Sequence, residues 1–246
     1  MGLLVTFILG LFIILGSIIV FISKNDNSFV EFSIGLAFSV IIMLIIFDLS
    51  PEIYEIFSEE NTTVFTIIIM VLTSGLGLVI LKIFDKFIPD HEGHNHSNLA
   101  HIGLIASIAL VLHNILEGMA VYNAVETSIK TGSLIAIGVG LHNVPLGMII
   151  TSSFYKANNS KTKTMLKVSF IALSTFIGGI FMALLGDLIT ETFEGITLGI
   201  TLGMLIYIAL FELLPKITET KKKSKPVYGI IIGILLILLS MYLGSH

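Results

Sequence analysis

Cysteine is absent from the 246 residues, which excludes disulfides and thiolate metal sites. Arginine is absent too: all 13 basic residues are lysine. Charge of either sign is scarce. Lysine, aspartate and glutamate together make up 12% of the chain, about half the share of an average soluble domain. The net charge of −4 offers a phosphate backbone nothing to hold, so a nucleic-acid partner is excluded. What is present is apolar. Hydrophobic residues make up 55% and the mean hydropathy is +1.01. A soluble 26.8 kDa domain cannot hide that much apolar surface, because area falls too slowly with mass. Soluble enzymes and disordered tails are thereby set aside, and a multi-pass protein of the cell membrane is expected.

A bilayer core about 30 Å thick needs roughly 20 apolar residues per helix. Eight stretches qualify, near 2–22, 30–50, 62–84, 99–125, 129–155, 164–186, 194–214 and 226–244. The expected fold is all-α: one membrane domain over 1–246 with eight spans. The first stretch lacks a basic leader and a small-residue cleavage site, and reads as a retained span. Lysines sort by loop. Lys24, Lys82, Lys86, Lys156, Lys161, Lys163, Lys167, Lys216, Lys221, Lys222, Lys223 and Lys225 lie in or beside the loops after spans 1, 3, 5 and 7, and only Lys130 lies on the other side. Positive charge stays inside, so those four loops are expected in the cytoplasm and both termini outside.

Two internal echoes run through the chain. GLAFSVIIMLIIFDLSPEI at 35–53 aligns without gaps to GITLGMLIYIALFELLPKI at 199–217, sharing Gly35/Gly199, Phe47/Phe211, Leu49/Leu213, Pro51/Pro215 and Ile53/Ile217 and pairing Asp48 with Glu212. LHNILEGM at 112–119 echoes LHNVPLGM at 141–148. Each pair joins spans an odd number apart, which reverses direction and implies inverted repeats.

The second echo carries chemistry. His113 and Glu117 are four residues apart and share one face of span 4. His142 sits at the middle of span 5, and Asn114 and Asn143 follow the two histidines. Ionisable groups at that depth cost a few kcal/mol each and mark a site or a pathway. Two imidazoles and a carboxylate suit Zn²⁺, with Fe²⁺, Mn²⁺, Co²⁺ and Ni²⁺ as alternatives, and water or an Asn carbonyl could complete the shell. Pro145 deprives the Leu141 carbonyl of its helical partner, which would free a backbone oxygen near the site. The competing explanation is a pair of hydrogen-bonded histidines packed between helices.

At these residues the sequence resembles the ZIP family of divalent metal transporters. His113-Asn114-Ile115-Leu116-Glu117-Gly118 looks like that family's fourth-helix HNxxEG motif, and His142-Asn143-Val144-Pro145-Leu146-Gly147 looks like its fifth-helix HNxPEG motif. Phe211-Glu212-Leu213-Leu214-Pro215 and Asp48-Leu49-Ser50-Pro51-Glu52 resemble its seventh- and second-helix signatures. The resemblance covers the whole chain, with two departures: Leu146 stands where the family has a glutamate, and span 6 has no acid before Asp187. It therefore implies one metal ion rather than two, held by His113, Glu117 and His142 with Asn114 and Asn143 secondary, and import into the cytoplasm.

The deduced topology puts Asp48 and Glu52 near the outer end of span 2 and Glu212 near the inner end of span 7. Outer-loop acids (Glu55, Glu59, Glu60, Glu191, Glu194) would concentrate cations at the mouth. Asp48 and Glu212 occupy matched repeat positions, as gates or relays would. The cytoplasmic loop 85–98 carries His91, His94 and His96, a cluster suited to loose metal binding. The expected function is alternating-access transport of a divalent cation, zinc first, with the metal as substrate and no resident cofactor. The expected partners are that cation and the lipid bilayer, with a homodimer left open. The alternatives are an intramembrane metal-dependent hydrolase, disfavoured by the lack of HExxH and of a spare base, and a non-transporting metal sensor.

Overall fold

A computed structural model describes residues 1–23, 26–87, 95–157, 160–220 and 223–244. Among them, eight helices are long and apolar enough to cross a membrane: α1 (Gly2–Ile22), α2 (Asn27–Ser58), α3 (Thr63–Phe87), α4 (Leu99–Thr127), α5 (Ile129–Lys156), α6 (Lys161–Leu188), α7 (Glu191–Glu219) and α8 (Ser224–Leu243). Lys24, Lys221, Lys222, His91 and His94 lie outside the described residues. The helix that contains α4 begins at Asn95. His96 therefore falls on it, although the side chain is outside the described set.

Local chemistry starts the helices where they start. Asp26, Ser128, Ser160 and Thr190 each accept a hydrogen bond from the backbone N–H three residues on, satisfying a donor that the first turn leaves free. Several helices outrun the hydropathy windows. α2 continues to Ser58, so Glu55 is helical rather than in a loop. Glu191 and Glu194 likewise lie in the first turn of α7, where the helix dipole favours acids. Asp85 belongs to α3, not to the following loop.

α5 runs as one helix through Pro145, without unwinding. The departures from α geometry fall instead on the first echo. Residues Ile45–Leu49 of α2 and Ile208–Leu213 of α7 form π turns. There the Ser50 N–H donates to the Ile45 carbonyl and the Leu214 N–H donates to the Ala209 carbonyl. Each turn immediately precedes a proline-bearing segment at Pro51 or Pro215, and each contains the paired acid, Asp48 or Glu212. Proline supplies no N–H to the carbonyl four residues back, and a π turn is one way for a helix to absorb that defect. The repeat is therefore visible in backbone conformation as well as in sequence.

The spans pack as two groups. α1, α4, α5 and α6 contact one another extensively; α2 packs along α8, and α3 along α7. α5 is the most buried span and also meets α2 and α8. A continuous core of Ile41, Ile105, Ala109, Leu146, Ile149, Leu205 and Ile208 joins the groups. Large apolar side chains face outward along the rest, including Leu72 (67% exposed) and Phe170 (65%), the surface that acyl chains would solvate.

Beside the predicted site, α4 and α6 meet through reciprocal glycines. A Cβ on Gly118 would lie 1.9 Å from the Thr175 carbonyl oxygen, and one on Gly178 2.0 Å from that of Ile115. Neither obstacle is a movable side chain. Gly118→Ala is therefore expected to destabilise the protein by about 1–3 kcal/mol, the usual cost of overpacking, read as a lowered melting temperature in detergent.

Candidate metal centre

The α4–α5 connection is the single residue Ser128. So tight a turn makes the two helices antiparallel neighbours and folds Glu117 and His142 to the same depth. His142 Nε2 lies 2.8 Å from Glu117 Oε1. His113 Nε2 lies 3.6 Å from the same oxygen, and the imidazole centroids are 6.3 Å apart. One ligand atom from each of the three residues falls within 4.8 Å of the others. Two imidazole nitrogens and a carboxylate oxygen thus converge on a single point, with His113 and His142 each only 4% exposed.

The two asparagines have different places. Asn143 Nδ2 donates to Glu117 Oε2 at 2.7 Å, so this amide holds the carboxylate in position while Oε1 faces the histidines. Asn114 Nδ2 donates to the Ile171 carbonyl of α6 at 3.3 Å. Both side chains are fully buried. Among the described residues, His113 Nε2, Asn114 Oδ1 and Asn143 Oδ1 have no hydrogen-bond partner. Buried polar atoms are normally paired, so these acceptor-capable atoms on the two histidine–asparagine pairs stand out, and His113, Glu117 and His142 form a group that could hold a metal ion.

A cavity of about 360 Å³ reaches His113 and Glu117. Asp48, Glu52, His113, Glu117 and Glu194 line it. Asp48 also lines a second hollow of about 330 Å³ that reaches His142 between α2, α5 and α8. In the opposite direction, Ala106, Ala109 and Leu110 of α4 and Ile149 and Ile150 of α5 are all buried to within 2%. The predicted path residues Asp48 and Glu52 therefore share a chamber with the site, and Glu212 does not. Leu146 is 1% exposed within the apolar core, so hydrocarbon fills the place of the missing acid.

The family profile described as ZIP Zinc transporter matches residues 88–241. The chain belongs to the ZIP family. Curated relatives named "Zinc transporter ZupT" match along nearly the full length. The Streptococcus mutans protein is 27% identical over 251 residues, covering 97% of this chain and 95% of its own. The Clostridium perfringens protein is 26% identical over 280 residues, covering 99% and 95%. The Oceanobacillus iheyensis protein is 27% identical over 259 residues, covering 98% and 96%. This ZIP protein is accordingly a multi-pass membrane transporter of divalent metal, not an enzyme.

The ZIP chain also holds a second cluster, at the far end of the molecule from Glu52. His101 Nε2 of α4 lies 2.5 Å from Asp85 Oδ1 of α3 and 3.8 Å from Glu212 Oε1 of α7. Tyr207 Oη donates to Asp85 Oδ2 at 2.6 Å. Glu212 was expected on the path, but its companions were not. Asp85 and His101 border the loop whose histidines dominate the sequence there. Their one signal was that the lysine topology assigns the ends of α3, α4 and α7 to the same side of the membrane.

Proposed function

We propose that this ZIP protein carries Zn²⁺ into the cytoplasm through one mid-membrane site, with His113, Glu117 and His142 as ligands and Asn143 holding Glu117 in place. The convergence of two imidazoles on one oriented carboxylate, flanked by orphaned amide oxygens, carries the reading. The donor set is one that zinc favours, and relatives along the full length bear the name zinc transporter.

The packing suggests how the site is moved. All three ligands and both asparagines lie on α4 and α5, in the α1/α4/α5/α6 group. Asp48, Glu52, Glu194 and Glu212 lie on α2 and α7, in the other group. Motion of the ligand-bearing group against the acid-bearing one would change which end reaches the site, without dismantling the ligand set. With the lysine-derived topology, the open chamber faces outside, and Asp48, Glu52 and Glu194 attract the cation into it. The closed side then faces the cytoplasm, where the segment carrying His91, His94 and His96 would receive the ion.

Zinc uptake into proteoliposomes tests this. Saturable uptake is expected from the wild type, with loss of most flux in His113→Ala and His142→Ala. Tight zinc binding without flux would make the chain a sensor instead, and undiminished flux in both variants would displace the ligand assignment.

A further inference from the structure

We propose that Asp85, His101, Tyr207 and Glu212 form a latch that holds the cytoplasmic side of the transporter shut while the outer chamber is open. The proposal rests on the two-group reading above and concerns positioning residues, not ligands of the transported ion. His101 belongs to the ligand-bearing group through α4. Asp85 and Glu212 belong to the other group, through α3 and α7. Elsewhere α3 barely touches α4, and α4 meets α7 over a short stretch. At that end α2 also packs on α5, with Leu36 and Met148 in one apolar cluster, and the latch residues add a polar tie between the groups on the α3/α7 side.

The geometry is that of a clasp. Tyr207 and Asp85 are joined within one group, by the 2.6 Å hydrogen bond between α7 and α3. That bond leaves the second oxygen of Asp85 aimed at His101, 2.5 Å away. Tyr207 is itself fixed by stacking on Phe211, with centroids 5.1 Å apart. Glu212 approaches the same imidazole nitrogen from the π turn of α7. The side chains of His101 and Glu212 are only 11% and 10% exposed. In the His101–Asp85 hydrogen bond the carboxylate is 29% exposed, so the shielding comes from the histidine side, and it makes the bond stronger than a fully exposed one. The clasp lies on the side where Ala106, Ala109 and Leu110 are sealed. Any motion that opens that side must carry His101 away from Asp85 and Glu212.

The absence of cysteine makes single-cysteine reporters unambiguous. Ala106→Cys reports on the sealed side and Ala120→Cys on the open chamber. Each would be combined with His101→Gln, Asp85→Asn or Tyr207→Phe and labelled with a small thiosulfonate reagent in zinc-free proteoliposomes. Loss of the latch is expected to raise the labelling rate at Ala106→Cys about tenfold and to lower it at Ala120→Cys, for an interaction of ordinary hydrogen-bond strength. Exchanging the partners, as Asp85→His with His101→Asp, is expected to restore the wild-type pattern. Unchanged rates at both reporters would overturn the proposal. So would rates that rise at both, which mark general loosening. Because no zinc is present, the outcome does not depend on whether His113, Glu117 and His142 are the transport ligands.

Discussion

Glu117→Gln is expected to reduce zinc uptake to background while leaving the protein folded. The amide is the same size as the carboxylate, and its oxygen can still accept from Asn143 Nδ2, which now lies 2.7 Å from Glu117 Oε2. What disappears is the one carboxylate grouped, among the described residues, with both buried histidines within 4.8 Å, while Asp48, Glu52 and Glu194 line the adjoining cavity farther off. With Glu117 ionised, a Zn²⁺ held by these three residues would carry one net positive charge among them; without it, two positive charges would have no carboxylate in direct contact. Removing one partner from a buried charge pair costs about 3–5 kcal/mol, so affinity should fall by roughly 100-fold or more. Titration calorimetry in detergent would read the affinity, proteoliposome uptake the flux, and a zinc-free melting curve the fold. Uptake at the wild-type level would remove Glu117 from the ligand set, since it is the one acid grouped with both histidines within 4.8 Å among the described residues.

That Glu117 could be singled out from sequence follows from how unusual it is. Hydropathy locates eight spans because bilayer thickness dictates their length, and a carboxylate in the middle of one stands out against that background. The i, i+4 spacing with His113 needs only helix geometry, and the one-residue turn at Ser128 explains why His142 arrives beside them. Other features were legible in part. The echo between 35–53 and 199–217 showed where Asp48 and Glu212 correspond, but not that each would occupy a π turn. That outcome depends on how a helix settles the hydrogen bonds broken by Pro51 and Pro215, and Pro145 leaves α5 helical throughout. The two asparagines look equivalent in sequence, yet one steadies Glu117 and the other bonds to the Ile171 carbonyl. The difference is set by which neighbour each helix faces. The cluster of Asp85, His101 and Tyr207 was the least accessible. Its members come from three spans, Asp85 and His101 near polar helix ends and Tyr207 inside the apolar run of α7, and only tertiary packing brings their side chains together.

Leu146→Glu is expected to have the opposite effect on zinc from Glu117→Gln, and to do so at the expense of the metal-free fold. Leu146 lies one helical turn beyond His142 and three residues beyond Asn143, so a carboxylate there shares their face of α5. The present side chain is 1% exposed in a core with Ile149, Ile150 and Leu205. Without metal, a carboxyl group in that position has hydrocarbon around it and no compensating charge, and should cost about 3 kcal/mol or more, seen as a large fall in melting temperature. With zinc, the balance reverses. Two carboxylates cancel the charge of one divalent ion, so the buried complex changes from one net positive charge to none, and cation sites tighten as the ligand charge rises. Affinity should increase by roughly 100-fold, a change worth about 2.7 kcal/mol, and zinc should restore most of the lost melting temperature. A second ion per chain is expected at high zinc, since Asn114 Oδ1 and Asn143 Oδ1 are already buried and unpaired nearby. Tighter holding slows release, so maximal uptake should fall even as half-saturation moves to lower zinc. Unchanged affinity and stoichiometry would mean that the leucine is not what limits this site to one weakly neutralised ion. The expected result would make Leu146 a determinant of turnover: by leaving the bound ion partly uncompensated in the membrane, it keeps the mid-membrane state shallow enough for the ion to leave.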